Sequence, residues 1–170
     1  MAVALEYTVF ETEWGWLGAT RSPHGLLLLT FPCHMPNDAR IALGAVVHQG
    51  QHVAHFAGLE NKICDYIAGK QVTFDETLDL ATATSFQRRV WMAVHEIPYG
   101  ETRSYSWVAT SVGNKKACRA VGQAIRKNPL PIVIPCHRVI TSGGTLGGFS
   151  GGLAMKRRLL GLEGITFSEP

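Results

Sequence analysis

Two short apolar runs, 132–134 and 139–140, enclose the polar tetrapeptide Pro135-Cys136-His137-Arg138. Apolar runs of this length predict buried strands, and Pro135 holds the residue before it in an extended conformation. Pro131 and Pro135 both lack a backbone donor, so the segment cannot form a central sheet strand throughout. The sequence therefore predicts a stiff, buried segment that presents a thiol and an imidazole at one fixed point of the fold.

The composition is that of an ordinary soluble protein of 170 residues, enough for one domain or two small ones. No stretch of 18 apolar residues occurs, so we expect no membrane span. The first residues include Glu6, Glu11 and Glu13 and lack the basic region of a signal peptide. The four cysteines are widely spaced and form no Cys-x-x-Cys pair, which indicates reduced thiols and a cytoplasmic location.

The formal net charge of +3 conceals a difference between the two halves of the chain. Residues 1–84 hold four Lys or Arg and nine Asp or Glu, a net charge of −5, whereas residues 85–170 hold twelve and four, a net charge of +8. The basic residues of the second half cluster on one predicted pair of helices. This distribution favours a polyanionic partner for the C-terminal half over a merely solvated surface.

The N-terminal half predicts a small α/β unit. Residues 3–31 have the pattern of a strand meander, residues 38–68 have helical character interrupted by three glycines, and residues 71–74 return to strand. We place the domain boundary just before Thr84. The predicted N-terminal α/β domain therefore covers residues 1–83, and the predicted C-terminal domain, which is mainly helical, covers residues 84–170.

Three histidines of the N-terminal half, His48, His52 and His55, are spaced as on one helical face. A zinc site is conceivable from this spacing. The pattern matches no standard Cys/His signature, however, and Gly50 interrupts the helix. We interpret these residues as surface or partly buried histidines and predict no metal site.

A capping-box pattern, with Thr84 as N-cap and Gln87 three residues later, predicts the start of a helix. An apolar stripe at helical spacing follows it, and Pro98 and Gly100 end the element. We expect the aromatic residues of this stripe, Phe86 and Trp91, to pack in the core.

A helix-turn-helix pattern comes next, with Ser104 as the first cap, a turn at 113–114 and a second helix at about 116–127. The outer face of the second helix carries Arg119, Gln123 and Arg126, and small residues beside them let its backbone approach a surface closely. Lys115, just before this helix, and Lys116, at its start, suit phosphate binding. The pattern predicts contact with the DNA backbone and minor groove, although many such helix pairs are purely structural.

Cys136 needs activation, because a free thiol has a pKa of about 8.5. Adjacent side chains of an extended segment point to opposite sides, so we expect a water or a turn to relay between Cys136 and His137. A third group must orient the imidazole. Glu163 is the best candidate, and it follows the predicted helix 153–162. A carboxylate at the C-terminus of a helix is unfavourable, and a hydrogen bond to a buried histidine would offset that cost. A solvent-exposed glutamate with no role is the alternative.

Six of the ten residues from 143 to 152 are glycine, and no Walker A lysine follows. A glycine-rich loop lets backbone approach a ligand closely. Phe149 and Ser150 lie inside this loop, and an aromatic ring beside a hydroxyl suits stacking and hydrogen bonding to a base. A flexible surface loop is the alternative interpretation.

These motifs together resemble the O6-alkylguanine-DNA alkyltransferases, whose active-site signature is similar to residues 134–139. The similarity extends from Thr84 to Gly164 and includes the segments Ile97-Pro98-Tyr99-Gly100, Arg119-Ala120-Val121-Gly122, Asn128-Pro129, Ser150-Gly151-Gly152 and Glu163-Gly164. It implies an α+β fold with a ribonuclease-H-like N-terminal unit. It also implies direct-reversal repair, in which the base is flipped from duplex DNA and the alkyl group of O6-alkylguanine, and of O4-alkylthymine, moves irreversibly to Cys136.

The resemblance also assigns roles to individual residues. It implies that Cys136 is the nucleophile, His137 the base acting through water, and Glu163 the residue that orients it, while Asn128 braces the turn. Further expectations are that Arg119 fills the gap left by the flipped base and Tyr105 bears on the adjacent phosphate. The remaining expected contacts to the base come from the carbonyl of Ile134 and from Phe149, Ser150 and Gly151.

The resemblance implies no cofactor and a monomer that binds the minor groove of damaged double-stranded DNA, with cooperative binding left open. It places the protein in the cytoplasm near the nucleoid, or in the nucleus of a eukaryote. Phe149 departs from the family, which often has tyrosine there, and Cys118 beside Arg119 is unusual. Two alternatives remain: a sensor that binds alkylated bases and recruits other repair proteins, and a cysteine hydrolase.

Overall fold

The computed structural model describes residues 4–54, 56 and 58–167. Strands and helices are mixed, which confirms the predicted α/β class. The chain divides into two compact units, one ending at Ala81 and the other beginning at Thr82. Within the described residues, no helix is long and apolar enough to cross a membrane.

The first unit is built on a four-stranded sheet with the order β3-β2-β1-β4. Three antiparallel strands form the meander that the sequence predicted: β1 (Glu6–Thr12), β2 (Gly15–Ser22) and β3 (Gly25–Leu29). The short strand β4 (Gln51–His52) pairs parallel to β1. The strands supply buried apolar side chains such as Leu17 and Leu29, so one core forms against this sheet.

The described residues of the first unit form three helices: α1 (Pro36–Ala42), α2 (Val46–Gln49) and α3 (Leu59–Ile67). The predicted helical stretch 38–68 is therefore broken, since Gly44 and Gly58 have positive φ values of 66° and 90°. The strand predicted at 71–74 is wrong. The chain instead pairs with the open edge of β3 further on, where Leu26 bridges Leu78.

The histidine trio does not form the helical face that its spacing indicated. His48 lies in α2, whereas His52 lies in β4, with its ring 5.2 Å from that of Tyr7. His55 lies outside the described residues. No group of three metal-ligating side chains occurs among residues 4–54, 56 and 58–167.

Up to residue 167, the last that the structure describes, the second unit has four α-helices: α4 (Ser85–His95), α5 (Tyr105–Ser111), α6 (Cys118–Arg126) and α7 (Leu153–Leu162). Two short parallel strands, β5 (Arg103–Ser104) and β6 (Val139–Ile140), join the start of α5 to the segment after Cys136. The predicted capping box at Thr84 is confirmed, because Thr84 Oγ1 accepts from the amide of Gln87 and Gln87 Oε1 accepts from the amide of Thr84. The Ser104 cap of α5 is confirmed as well.

The helix pair α5–α6 is anchored by α4. The indole Nε1 of Trp91 in α4 donates to the carbonyl of Ala124 in α6, at 2.8 Å. This bond and the burial of Val121 and Ile125 fix which face of α6 points inward. Helix α6 begins two residues later than predicted, because Asn114 Oδ1 accepts from the amide of Lys116 and holds that residue in the turn.

The apolar run 132–134 is buried as predicted but forms no strand. Ile132 has a left-handed φ of 73°, an unusual conformation for a β-branched residue. The chain turns back on itself there, so that the amide of Ile134 donates to the carbonyl of Leu130 at 2.7 Å. The prolines remove ladder donors as expected, and the local turn supplies the partners that a sheet would otherwise provide.

Candidate active site

Cys136 begins a single turn of 3-10 helix, Cys136–Arg138, directly after Pro135. Cys136 is 2% exposed, and its backbone amide donates to the carbonyl of Ile134 at 2.7 Å. Burial raises the pKa of the Cys136 thiol above its usual range, although the Asn128 side chain and the charge of Lys156 act in the opposite direction. The resting group is therefore a thiol, and transfer of its proton must accompany any attack by the sulfur.

The 3-10 turn changes the expected relation between Cys136 and His137. The sequence predicted an extended segment with the two side chains on opposite sides. Instead both residues lie in one buried turn, His137 with 0% exposure. The relay between them through a water stays a prediction.

A buried cluster of three charged or titratable side chains lies behind the cysteine. His137 Nε2 lies 2.8 Å from Oε1 of Glu163, and Arg138 donates to both oxygens of the same carboxylate. The amide of Gly100 donates to Oε2 at 3.1 Å. Glu163 is 6% exposed and caps α7, so these donors offset the cost of a carboxylate at a helix C-terminus.

The histidine of this cluster is held in its neutral form. Burial lowers the pKa of His137, and the Glu163 carboxylate opposes that effect without overcoming it. Since the carboxylate accepts from Nε2, the other ring nitrogen, Nδ1, carries the lone pair. The arrangement suits a general base with a fixed tautomer.

Asn128 bridges the two ends of the turn that precedes Cys136. Its Nδ2 donates to the carbonyl of Ile134 and its Oδ1 accepts from the amide of Leu130, each at 2.9 Å. The Ile134 carbonyl thus accepts from both Asn128 and the amide of Cys136. A carbonyl oxygen has two lone pairs, so the predicted contact of Ile134 with guanine requires one of these bonds to be given up.

The predicted base pocket and DNA-binding face come together around a cavity of about 660 Å³. Its lining includes six of the residues singled out from the sequence: Tyr105, Arg119, Gln123, Arg126, Phe149 and Ser150. Cys118 also lines it. Cys136, Ile134, Gly151, Lys115 and Lys116 are not among its lining residues, and the two lysines lie exposed in the turn before α6.

The glycine loop approaches Tyr105 very closely. A Cβ at Gly147, whose φ is 67°, would lie 3.1 Å from Tyr105 Cε2 and 3.2 Å from Thr141 Cγ2. The Tyr105 hydroxyl donates to the carbonyl of Gly148 at 3.2 Å. The loop is thereby tied to the wall of the cavity, which favours a built pocket over a flexible surface loop.

Lys156 is a residue of this site that the sequence analysis missed. It is 0% exposed, and its Nζ donates to the carbonyls of Val139 and Leu146, each at 2.5 Å. Burial lowers the pKa of Lys156 to about 8. The signal was present in the sequence: Lys156, Leu159, Leu160 and Glu163 share the i, i+3, i+4, i+7 spacing of a buried helical face. Arg138 was missed too, although it adjoins the cysteine–histidine pair.

Comparison with known proteins agrees with this geometry. Residues 85–165 match the family model described as the DNA-binding domain of 6-O-methylguanine DNA methyltransferase. The constitutive methylated-DNA–protein-cysteine methyltransferase of Bacillus subtilis is 44% identical over 116 residues, 68% of this chain and 70% of that protein. The chain belongs to the methylated-DNA–protein-cysteine methyltransferase family.

Two mycobacterial members of the family show how far the similarity reaches. The methyltransferase of Mycolicibacterium paratuberculosis is 52% identical over 108 residues, 64% of this chain and 65% of that protein. The match thus spans slightly less than two thirds of that methyltransferase. The crystal structure of Mycobacterium tuberculosis OGT in complex with DNA superposes with a TM-score of 0.79 at 38% identity, covering 93% of this chain and 92% of that one. The family resemblance drawn from the sequence is confirmed.

Proposed function

We propose that this protein repairs DNA by direct reversal, transferring the alkyl group of O6-alkylguanine, and of O4-alkylthymine, irreversibly to Cys136. The observation that carries the proposal is the buried turn that joins Cys136 to His137, with His137 bonded to Glu163 at 2.8 Å. Family membership supports it, since relatives are named methylated-DNA–protein-cysteine methyltransferases.

The proposed reaction is a displacement at the carbon attached to guanine O6. A bond forms between that carbon and the sulfur of Cys136, and the bond between the carbon and O6 breaks. The thiol proton passes through a water to His137, and the protonated His137 returns a proton through solvent to the leaving guanine, so the products are a thioether and an intact guanine. Because a thioether is a poor leaving group, each chain acts once.

We infer that DNA lies against the exposed face of α6. Three long polar side chains are exposed on this face: Arg119, Gln123 and Arg126. The small residues Ala120 and Gly122 lie between them, so the helix backbone can approach DNA closely. Lys115 and Lys116, exposed before the helix, suit contacts with phosphates, so affinity should fall as salt rises. A low, basic surface fits a minor groove read through its backbone and width.

We infer that the flipped base enters the cavity beside the glycine loop. Phe149 provides a ring on which a base can stack, and Ser150 provides a hydroxyl at the same wall. Tyr105 would bear on the phosphate beside the target, and Arg119 would fill the vacated position in the duplex. In this proposal Asn128 keeps the cysteine turn in place while the nucleotide is moved.

The same proposal includes a monomer with two domains, residues 1–83 and 84–170, and a cytoplasmic location near the nucleoid, or a nuclear one in a eukaryote. A reducing compartment is consistent with the four free cysteines of the structure. The ribonuclease-H-like relationship of the first unit also remains a prediction.

Peptide mapping by mass spectrometry tests the proposed function. The protein is incubated with a duplex that contains O6-methylguanine, and we expect the peptide with Cys136 to gain the mass of one CH₂ group. Cys136→Ser is the control and should bind the duplex without gaining mass. Binding by the wild-type protein without a mass gain would identify a sensor, and repeated turnover of an ester substrate would identify a hydrolase.

A further inference from the structure

Arg138 binds the buried carboxylate of Glu163 through two nitrogens of its guanidinium group. Its Nε lies 2.9 Å from Oε2, and its Nη2 lies 2.9 Å from Oε1. Its Nη1 donates to the carbonyl of Ile97 at 2.5 Å, and its Cζ lies 5.9 Å from the ring centre of Tyr99. The side chain is 9% exposed, so this is a desolvated and geometrically fixed ion pair.

Arg138 and His137 compete for the same oxygen. Oε1 of Glu163 accepts from His137 Nε2 at 2.8 Å and from Arg138 Nη2 at 2.9 Å. Oε2 accepts from Arg138 Nε and from the amide of Gly100. The carboxylate therefore accepts two or more hydrogen bonds at each oxygen, and the cationic guanidinium already balances its negative charge.

Because Glu163 is shared between Arg138 and His137, it stabilises a protonated His137 less than an unshared carboxylate would. A carboxylate paired with histidine alone would stabilise the imidazolium strongly, because both groups are buried. The charges that act on the pKa of His137 are those of Glu163, Arg138 and Lys156, one anion against two cations. A protonated His137 would add a third cation to a cluster that already has excess positive charge.

We propose that Arg138 is a positioning residue that keeps Glu163 neutralised, so that Glu163 orients His137 without turning it into an imidazolium. Glu163 then fixes the tautomer through Nε2, so that Nδ1 carries the lone pair that takes the thiol proton. The assignment of His137 as base rests on the proposed function. The effect of Arg138 on the proton affinity of His137 does not depend on it.

The test is the titration of the His137 ring by NMR, with the protein free of DNA, in the wild type and in two matched variants. Arg138→Gln removes the charge and keeps a side chain that can donate to the carboxylate. Arg138→Lys keeps the positive charge and loses the paired N–H donors of the guanidinium group. We expect the proton affinity of His137 to rise at least about tenfold in Arg138→Gln and to change less in Arg138→Lys.

The pH dependence of single-turnover alkyl transfer provides the functional readout. In Arg138→Gln, His137 should stay protonated to higher pH. The transfer rate should therefore be lost near neutral pH and recovered in alkaline solution. A uniform loss at every pH, with the His137 titration unchanged, would overturn the proposal and leave Arg138 a purely structural residue.

A variant of the carboxylate covers the case in which Arg138→Gln does not fold. Glu163→Gln keeps an oxygen that can accept from Nε2 of His137 and leaves Arg138 as an unbalanced cation. The proton affinity of His137 should then fall below that of the wild type, and a higher affinity would contradict the proposal. If Cys136 gains no alkyl group in the wild type, the proposed function fails, whereas the His137 titration still decides the role of Arg138.

Discussion

The two units of the protein differ in whether they bury charged side chains completely. In the first unit, ion pairs such as Lys70–Asp65 lie at the surface, with side chains 66% and 49% exposed. In the second unit, Glu163 and Lys156 are buried together with the partners that they bind. Exposed pairs contribute little to stability, whereas buried charges are costly and must be fully bonded. The contrast indicates that the buried charges of the second unit serve chemistry and positioning.

The largest effect is expected from Glu163→Ala. This change leaves Arg138 buried without its counter-ion and removes the acceptor for His137, so the free energy of unfolding should fall by about 3–5 kcal/mol. Urea denaturation measures it. A loss no larger than that of a surface pair would show that the cluster is solvated and would remove the contrast between the units.

Lys156→Met tests the second buried charge through its pH dependence. The pKa of Lys156 falls from 10.5 to about 8 on folding, so the unfolded chain holds the proton between those values while the folded chain releases it. The stability of the wild type relative to Lys156→Met should therefore increase from pH 8 to pH 10.5, by a total of about 3 kcal/mol. Comparison with the variant cancels the titration of Cys33 and Cys64, whose pKa values Lys156 does not affect. A constant difference across that range would mean that Lys156 is not buried as a cation.

Thr84→Ala should have an intermediate effect. It removes the side chain that accepts from the amide of Gln87 in the capping box of α4, which costs about 1 kcal/mol. Thermal or urea unfolding measures the loss, and Thr84→Ser, which keeps the acceptor, should restore most of it. Equal losses in both variants would point away from capping.

The smallest effect is expected from Lys70→Ala, which breaks the exposed pair with Asp65. The free energy of unfolding should change by less than about 1 kcal/mol, and the change should shrink further in high salt. An effect as large as that of Glu163→Ala would contradict the distinction between surface and buried charges.

The sequence predicted several residues of the site, but not the hydrogen bonds and ion pairs that join them to Arg138 and Lys156. Cys136, His137 and Glu163 were identified by motif and by position, since a glutamate just before a helix-ending glycine can be located from the chain alone. Arg138 and Lys156 were missed because long basic side chains are normally solvent-exposed. Lys156 shares the spacing of a buried helical face, whereas only the fold shows that Arg138 is buried.

The fold itself shows the same division. The capping box at Thr84 and the Ser104 cap depend on local hydrogen bonds and could be predicted. The strand expected at 132–134 could not be corrected from the sequence, since the left-handed conformation of Ile132 contradicts the preference of a β-branched residue. That conformation accompanies the bonds that Asn128 makes to Leu130 and Ile134 across the turn.

The stoichiometry of repair shows whether Cys136 takes up the alkyl group once and irreversibly. A known amount of the protein is mixed with an excess of duplex that contains O6-methylguanine, and the repaired guanines are counted over time. The account predicts a plateau at one repaired guanine per chain, with the methyl group on Cys136. Continued turnover beyond one, or binding of the duplex with no repaired guanine, would contradict it.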